Sequence, residues 1–224
     1  MSTPEKNHHL FSVDEKTGIQ ALGRKELMPN SPAKIRRIEY EYVRHGTTCL
    51  IGGLNVCTGK LEAYQIHPTR KEEDFMRFVK TLCKNISPTD QITILLDQLN
   101  IHKSESLVRW VAKTINYEVD LGTKEYKGIL KSQQSRMEFL EKPDHRIRFI
   151  FTPIHCSWLN PIENWFSKLQ KQRLTNANFG SLEDLENGLK LYIDFANEWF
   201  AKPYKWKFTG FIKNYQLSGA KLCA

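Results

Sequence analysis

Short apolar runs separated by turn-forming residues fill the first 70 positions of the chain, and helical periodicities follow them. HHLFSV runs into the turn-like DEKTG, IQALG comes next, and TTCLIGGLNV and KLEAYQI are parted by CTGK. Turn residues between β-rich runs predict an antiparallel meander. Residues 72–85 set Phe75, Phe78, Val79 and Leu82 at helical spacing, which predicts an amphipathic helix. ITILLD is an uninterrupted apolar run, the pattern of a strand covered on both faces. Ser104 and Ser106 are candidate caps for a helix carrying Leu107, Trp110 and Val111. RIRFIF (146–151) predicts a further buried strand. Asn160 as N-cap and Pro161 at the first helical position open a helix whose stripe is Ile162, Trp165, Phe166 and Leu169. Ser181, with Asp184 three residues on, starts a long final helix over 181–200. The order βββ-α-β-α-β-α-α describes an α/β protein with a mixed sheet and helices on its faces.

One stretch does not fit that order. About thirty extra residues, 116–145, lie between the helix ending near Lys113 and the strand at Arg146. Tyr126, Ile129, Leu130, Met137 and Leu140 follow a helical period there, so the expectation is an inserted helix, self-contained and at the edge of the domain.

Composition narrows the function classes. Of 224 residues, 40% are hydrophobic and 26% charged, which is ordinary for a globular protein with one good core. No apolar stretch approaches the roughly 20 residues of a membrane helix, and the polar start MSTPEKNHH lacks a secretory apolar segment. The expectation is therefore cytoplasmic, with no membrane association. Thirty-three basic residues against 25 acidic leave a net charge of +8, which suits a polyanionic partner. The five cysteines (Cys49, Cys57, Cys83, Cys156, Cys223) are odd in number and form no CxxC pair, so neither a disulfide framework nor a zinc site is indicated.

The candidate chemistry rests on three carboxylates. Asp14 and Asp97 end apolar runs, and Glu163 stands in the first turn of the helix after RIRFIF. Acids at the ends of neighbouring strands can hold hard divalent cations such as Mg2+ against phosphate. Each acid also has a plainer reading. Asp14 begins good hairpin-turn chemistry, and Glu163 could close a capping box with Asn160. Asp97, at the end of a covered strand where α/β sheets put their ligands, has the stronger case. His102 and His155 could touch phosphate, or simply hydrogen-bond near strand ends. Trp158, Trp165 and Trp199 read as core, and Trp158, in a polar loop, is the one among them that could contact DNA. The basic sets Lys168, Lys171, Arg173 and Lys202, Lys205, Lys207 suit a DNA backbone or a solvated face.

Taken together, ILLDQLNIHKS and FTPIHCSWLNPIENWFSKLQ resemble the catalytic domain of DDE transposases of the mariner superfamily, particularly its bacterial insertion-sequence branch. FSVDEKTGIQAL looks like the segment carrying the family's first Asp, and NEWFAKPYKWKFTG is similar to its C-terminal tail. The resemblance covers nearly the whole chain apart from the insertion. It implies one ribonuclease-H-like domain over 1–224, with a five-stranded mixed sheet and a helical insertion before the last strand. It also implies that Asp14, Asp97 and Glu163 form a catalytic triad holding Mg2+ or Mn2+, as two ions. The activity implied is cleavage at transposon ends and joining of 3′-hydroxyl ends to target DNA.

The partners implied are DNA and a second copy on DNA, with no small-molecule substrate. His102, Lys103, His155, Trp158, Asn160, Lys168, Lys171 and Arg173 are the candidate DNA contacts, and the setting is the bacterial cytoplasm or nucleoid. Two departures stand out. Sixty-five residues separate Asp97 from Glu163, about twice the family's usual gap, and the insertion accounts for the excess. No helix-turn-helix segments precede the first strand, so that DNA-recognition domain is expected to be absent. A catalytically idle DNA-binding module, or a different nuclease of the same fold, are the alternatives.

Overall fold

Over residues 7–24 and 41–204, which the computed structural model describes, five strands and five α-helices alternate much as the hydrophobic pattern predicts. They are β1 (His8–Gly23), β2 (Val43–Asn55), β3 (Leu61–His67), α1 (Glu72–Lys84), β4 (Gln91–Leu96), α2 (Glu105–Thr114), α3 (Gln133–Leu140), β5 (Ile147–Phe151), α4 (Ile162–Leu169) and α5 (Leu182–Trp199). The sheet runs β3-β2-β1-β4-β5. β2 is antiparallel to β1 and β3, whereas β4 is parallel to β1 and β5.

Helices cover both faces. α1, α2 and α3 share one core with Phe11, Val13, Ile94 and Phe149, and α4 and α5 share a second with Ile19, Ala21, Leu50 and Leu54. Each fully buried Phe or Leu side chain in these cores contributes roughly 1.5–3 kcal/mol. Local cues for helix starts hold where the cap is local: Ser104 Oγ accepts from Leu107 N–H, and Ser181 Oγ from Asp184 N–H. Ser106 does not cap; its hydroxyl donates to Glu72 Oε1.

β1 corrects the first turn expected from the sequence. DEKTG does not reverse the chain, because Asp14, Glu15 and Lys16 pair with Gly52, Ile51 and Leu50 of β2. The next pair is Ile19 with Thr48, so β1 carries one extra residue there, and Gly18 takes φ +67°. A one-residue bulge exchanges the faces to which alternate side chains point. Phe11 and Val13 accordingly enter the first core, while Ile19 and Ala21 enter the second. The turn-like composition serves the bulge.

The insertion carries a helix before the last strand as expected, but its extent and its place at the edge are corrected. It forms a 3-10 turn at Ile129–Lys131 followed by α3, and Tyr126 is exposed, so no single helix runs from 126 to 140. Leu130, Phe139 and Leu140 are fully buried members of the first core. The segment is part of that core and not a separable edge element. Trp158 and Trp199, read as core, are instead exposed, and Trp199 lines an outer stripe of α5 with Leu191 and Phe195. Trp165 is buried edge-on against Tyr192.

No helix of the described residues is long and apolar enough to cross a membrane. Burial pushes the Cys83 thiol up to about 12, so it packs as an inert apolar group. Lys205, Lys207, Cys223 and the last six residues of the NEWFAKPYKWKFTG tail lie outside the described residues.

Candidate active site

Sheet register brings the first two acids together. β1 and β4 pair in parallel from His8 with Gln91 to Ser12 with Leu95. The same register carried two residues further sets Asp14 level with Asp97, where β4 has ended and β1 continues. Successive residues of β1 point to opposite faces. Asp14 looks with Ser12 toward α4, and Glu15 looks toward the side of α1.

A buried polar latch fixes α4 against β1. Ser12 donates its hydroxyl to Asn160 Oδ1, and Ser12 Oγ accepts from Ile162 N–H at 2.9 Å. Asn160 Nδ2 donates to Val13 O at 2.9 Å and to Asp14 Oδ2 at 3.3 Å. The Asn160 side chain therefore does not cap the helix as expected; α4 begins at Ile162 with Pro161 before it, and only the Asn160 carbonyl accepts from Glu163 N–H. Glu163 closes no capping box. It stands half-buried in the first turn of α4, within electrostatic reach of Asp14.

Asp14 and Asp97 sit in unlike environments. Burial raises the Asp14 carboxyl, the hydrogen bond from Glu15 N–H opposes this, and the charges of Glu15, Asp97 and Glu163 add to the rise, which reaches about 7. Burial also acts on Asp97, but His102 and the Leu99 N–H outweigh it and hold that carboxyl below its ordinary value. His102 Nδ1 donates to Asp97 Oδ1 at 2.8 Å, and His102 Nε2 donates to Glu15 Oε1 at 2.9 Å. The imidazole is fully buried, with Phe75 at 4.4 Å between ring centroids. Burial opposes its charge, yet the bonds to Asp97 and Glu15 prevail and raise it to about 9.

Donor chemistry fits a divalent cation. Hard carboxylate oxygens on one strand, just past the end of its neighbour and on one helix suit Mg2+ or Mn2+. A buried Asp14 pressed by three acidic neighbours is relieved by added positive charge. Among the described residues, no three His, Cys, Asp or Glu side chains already stand as a ready-made ligand cluster. The acids are brought into electrostatic range, and their recorded hydrogen bonds go to Glu15 N–H, Asn160, Leu99 N–H and His102.

The candidate DNA contacts divide into two groups. His102, Lys103 and Asn160 are buried, with relative exposures of 0%, 7% and 1%, so their expected place on a DNA-facing surface is corrected. His102 and Asn160 bond inside the site, and burial lowers the Lys103 ammonium. Trp158 and His155 are exposed in the loop before α4, with His155 in the left-handed region at φ +63°. A non-glycine residue there carries strain of order 1–2 kcal/mol. Lys168 and Lys171 are exposed, Lys168 over the Tyr204 ring at 5.9 Å. Arg173, in a π-helical turn after α4, lies over the Phe179 ring at 5.0 Å and across Gly188 of α5.

Glu15, Lys16 and Arg70 were not singled out from the sequence. Lys16 is half-buried and feels the Glu163 charge, and Arg70 acts on Asp97. For Glu15 a signal existed: two acids side by side on a strand must face opposite sides of the sheet.

Known proteins bear on this arrangement in three ways. The crystal structure of the Mos1 mariner paired end complex with Mn matches with a TM-score of 0.50 at 13% identity, covering 84% of this chain and 48% of that one. The Mos1 strand transfer complex (TM-score 0.47, 12% identity, 84% and 47% covered) and the paired end complex with Mg (0.48, 13%, 83% and 48%) also align. The chain thus spans about half the length of these proteins, and the first match identifies the ribonuclease-H-like fold. No curated protein sequence matches significantly. The DDE superfamily endonuclease family matches residues 9–186, a span that holds β1 through the start of α5 and all three acids. The chain belongs to the DDE superfamily endonucleases.

Proposed function

We propose that this chain is the catalytic domain of a DNA transposase of the mariner superfamily, in its bacterial insertion-sequence branch. It cleaves phosphodiester bonds at transposon ends and joins the resulting 3′-hydroxyls to target DNA. The observation that carries the reading is the level placement of Asp14 and Asp97 on parallel neighbours, with Glu163 on a helix latched to the same strand.

Asp14, Asp97 and Glu163 would hold Mg2+ or Mn2+, as two ions. When bound, such a pair supplies Lewis-acid activation of the attacking and leaving oxygens. The protein's own groups do the rest. Asn160 bonds Asp14 at the strand end, and the bond from His102 holds the Asp97 carboxyl in place and below its ordinary value. Lys168, Lys171, Trp158 and His155 offer charge and a stacking face to the DNA backbone. In cleavage, water attacks phosphorus and the bond to the 3′ oxygen breaks. In joining, a DNA 3′-hydroxyl is the nucleophile, so no covalent protein–DNA intermediate is needed. Work as a homodimer on DNA in the bacterial cytoplasm or nucleoid, with all of 1–224 as one domain, belongs to the same proposal.

The test is nicking of supercoiled plasmid by the full chain with Mg2+ and then with EDTA. Cleavage that requires the metal and is lost in Glu163→Gln, at unchanged melting temperature, supports the reading. Glu163→Gln with wild-type cleavage removes Glu163 from the site.

A further inference from the structure

Nothing in the proposed chemistry requires a buried histidine between two acids, yet the fold builds one from three distant segments. Glu15 comes from β1, Asp97 follows β4, and His102 stands in the 3-10 turn Asn100–Lys103. The side chains of His102 and Glu15 are 0% and 2% exposed, while that of Asp97 is 37% exposed. The chain of bonds therefore runs from the closed core out to the open face of the site. Both recorded bonds to the Asp97 carboxylate use Oδ1, at 2.8 Å from His102 Nδ1 and 3.0 Å from Leu99 N–H. This orientation leaves Oδ2 to an ion.

The turn carrying His102 is braced in its own right. Arg136 of α3, itself buried, donates Nε–H to Lys103 O at 2.6 Å and Nη1–H to Leu130 O at 3.0 Å. Ring packing of Phe75 on His102 fixes the imidazole plane from the α1 side. The inserted segment thus reaches the candidate site through one guanidinium and one backbone carbonyl.

We infer that His102 is a positioning residue which, anchored by Glu15 and by the Arg136 brace from the insertion, fixes the Asp97 carboxylate for a divalent ion. The inference rests on the metal-site reading above. Outer partners of metal ligands orient them, and their loss commonly weakens metal binding 10–100-fold. A DNA contact would need His102 at the surface, and its complete burial argues for this inward role.

The experiment is Mn2+ titration of the full chain by calorimetry, paired with plasmid nicking across Mn2+ concentrations. Wild type and Asp97→Asn come first: if wild type binds no Mn2+, or Asp97→Asn binds as wild type does, the metal-site reading has failed, and this inference falls with it. Given binding that depends on Asp97, His102→Gln should weaken Mn2+ about 10–100-fold and recover much of its nicking rate at high Mn2+. Glu15→Gln, which keeps an acceptor for Nε2, should weaken it less, and Arg136→Met should shift it in the same direction. Unaltered Mn2+ affinity in His102→Gln overturns the inference, as does slow nicking that no Mn2+ concentration rescues. If His102→Gln does not fold, Glu15→Gln decides: wild-type affinity there overturns it.

Discussion

Asp14 on β1 and Asp97 just past the end of the neighbouring β4 are the same residue type at the same level of the sheet, and the protein drives their carboxyls in opposite directions. Asp14 is given a neutral amide, Asn160, and is surrounded by acids, so its proton is held up to about 7. Asp97 is given a cation, His102, and stays ionised below the ordinary carboxylate value. Residue type decides neither outcome; the partner does. A pair arranged this way folds without two uncompensated charges, and under the proposed function a divalent cation would complete the site.

The contrast can be broken most strongly at Asp97. Asp97→Asn removes a candidate ligand together with the counter-charge of His102, and plasmid nicking at saturating Mg2+ should fall by more than about a hundredfold, beyond the loss typical of outer partners. Nicking near the wild-type rate would remove Asp97 from the site. The Asp14 side should respond in stability. Asn160→Ala deletes bonds to Ser12, Val13 and Asp14 and strands buried polar groups, costing about 1–3 kcal/mol. A denaturant midpoint at the wild-type value would show that the latch is not structural.

The mildest probe is pH, and it sharpens the comparison by sign. Asp14 is raised from 3.8 to about 7, so the stability it lends is complete below pH 3.8 and is lost as pH rises through about 7. His102 is raised from 6.5 to about 9, and its contribution disappears as pH rises from 6.5 through 9. Asp97 is lowered, so its contribution is present above 3.8 and is lost as pH falls through its folded value. Melting temperatures in EDTA between pH 4 and 10 should show the acid-side decline flatten in Asp14→Asn. A wild-type curve unchanged by that substitution would contradict the burial argument for Asp14.

Much of this architecture was legible because each element meets one core. Phe75, Phe78, Val79 and Leu82 announce α1, since a helix buried on one side must repeat its apolar residues every turn. Ser104 and Ser181 announce helix starts because their partners lie three residues away. The three acids stood out by the strings around them. What stayed hidden depends on partners distant along the chain. Continuity of β1 through DEKTG is decided by β2, and turn chemistry alone cannot distinguish a bulge from a reversal. Asn160 reads as a cap until Ser12, 148 positions earlier, claims its side chain. His102 reads as an exposed ligand until Glu15, 87 positions earlier, closes over it. The apolar period of the insertion was visible, but nothing local reveals that Phe139 and Leu140 join the main core or that Arg136 holds Lys103.

The central claim is that Asp14, unfavourably buried and pressed by Asp97 and Glu163, is completed by a divalent cation. Calorimetric titration of Mn2+ into the full chain at pH 6, 7 and 8 tests it directly, beside Asp14→Asn. Ligands must be deprotonated to bind, so metal binding releases the proton that Asp14 holds. Wild-type affinity should rise with pH through about 7 and level off above it, while Asp14→Asn should bind far more weakly at every pH. Mn2+ affinity equal in the two proteins, or independent of pH across that interval, would contradict the account.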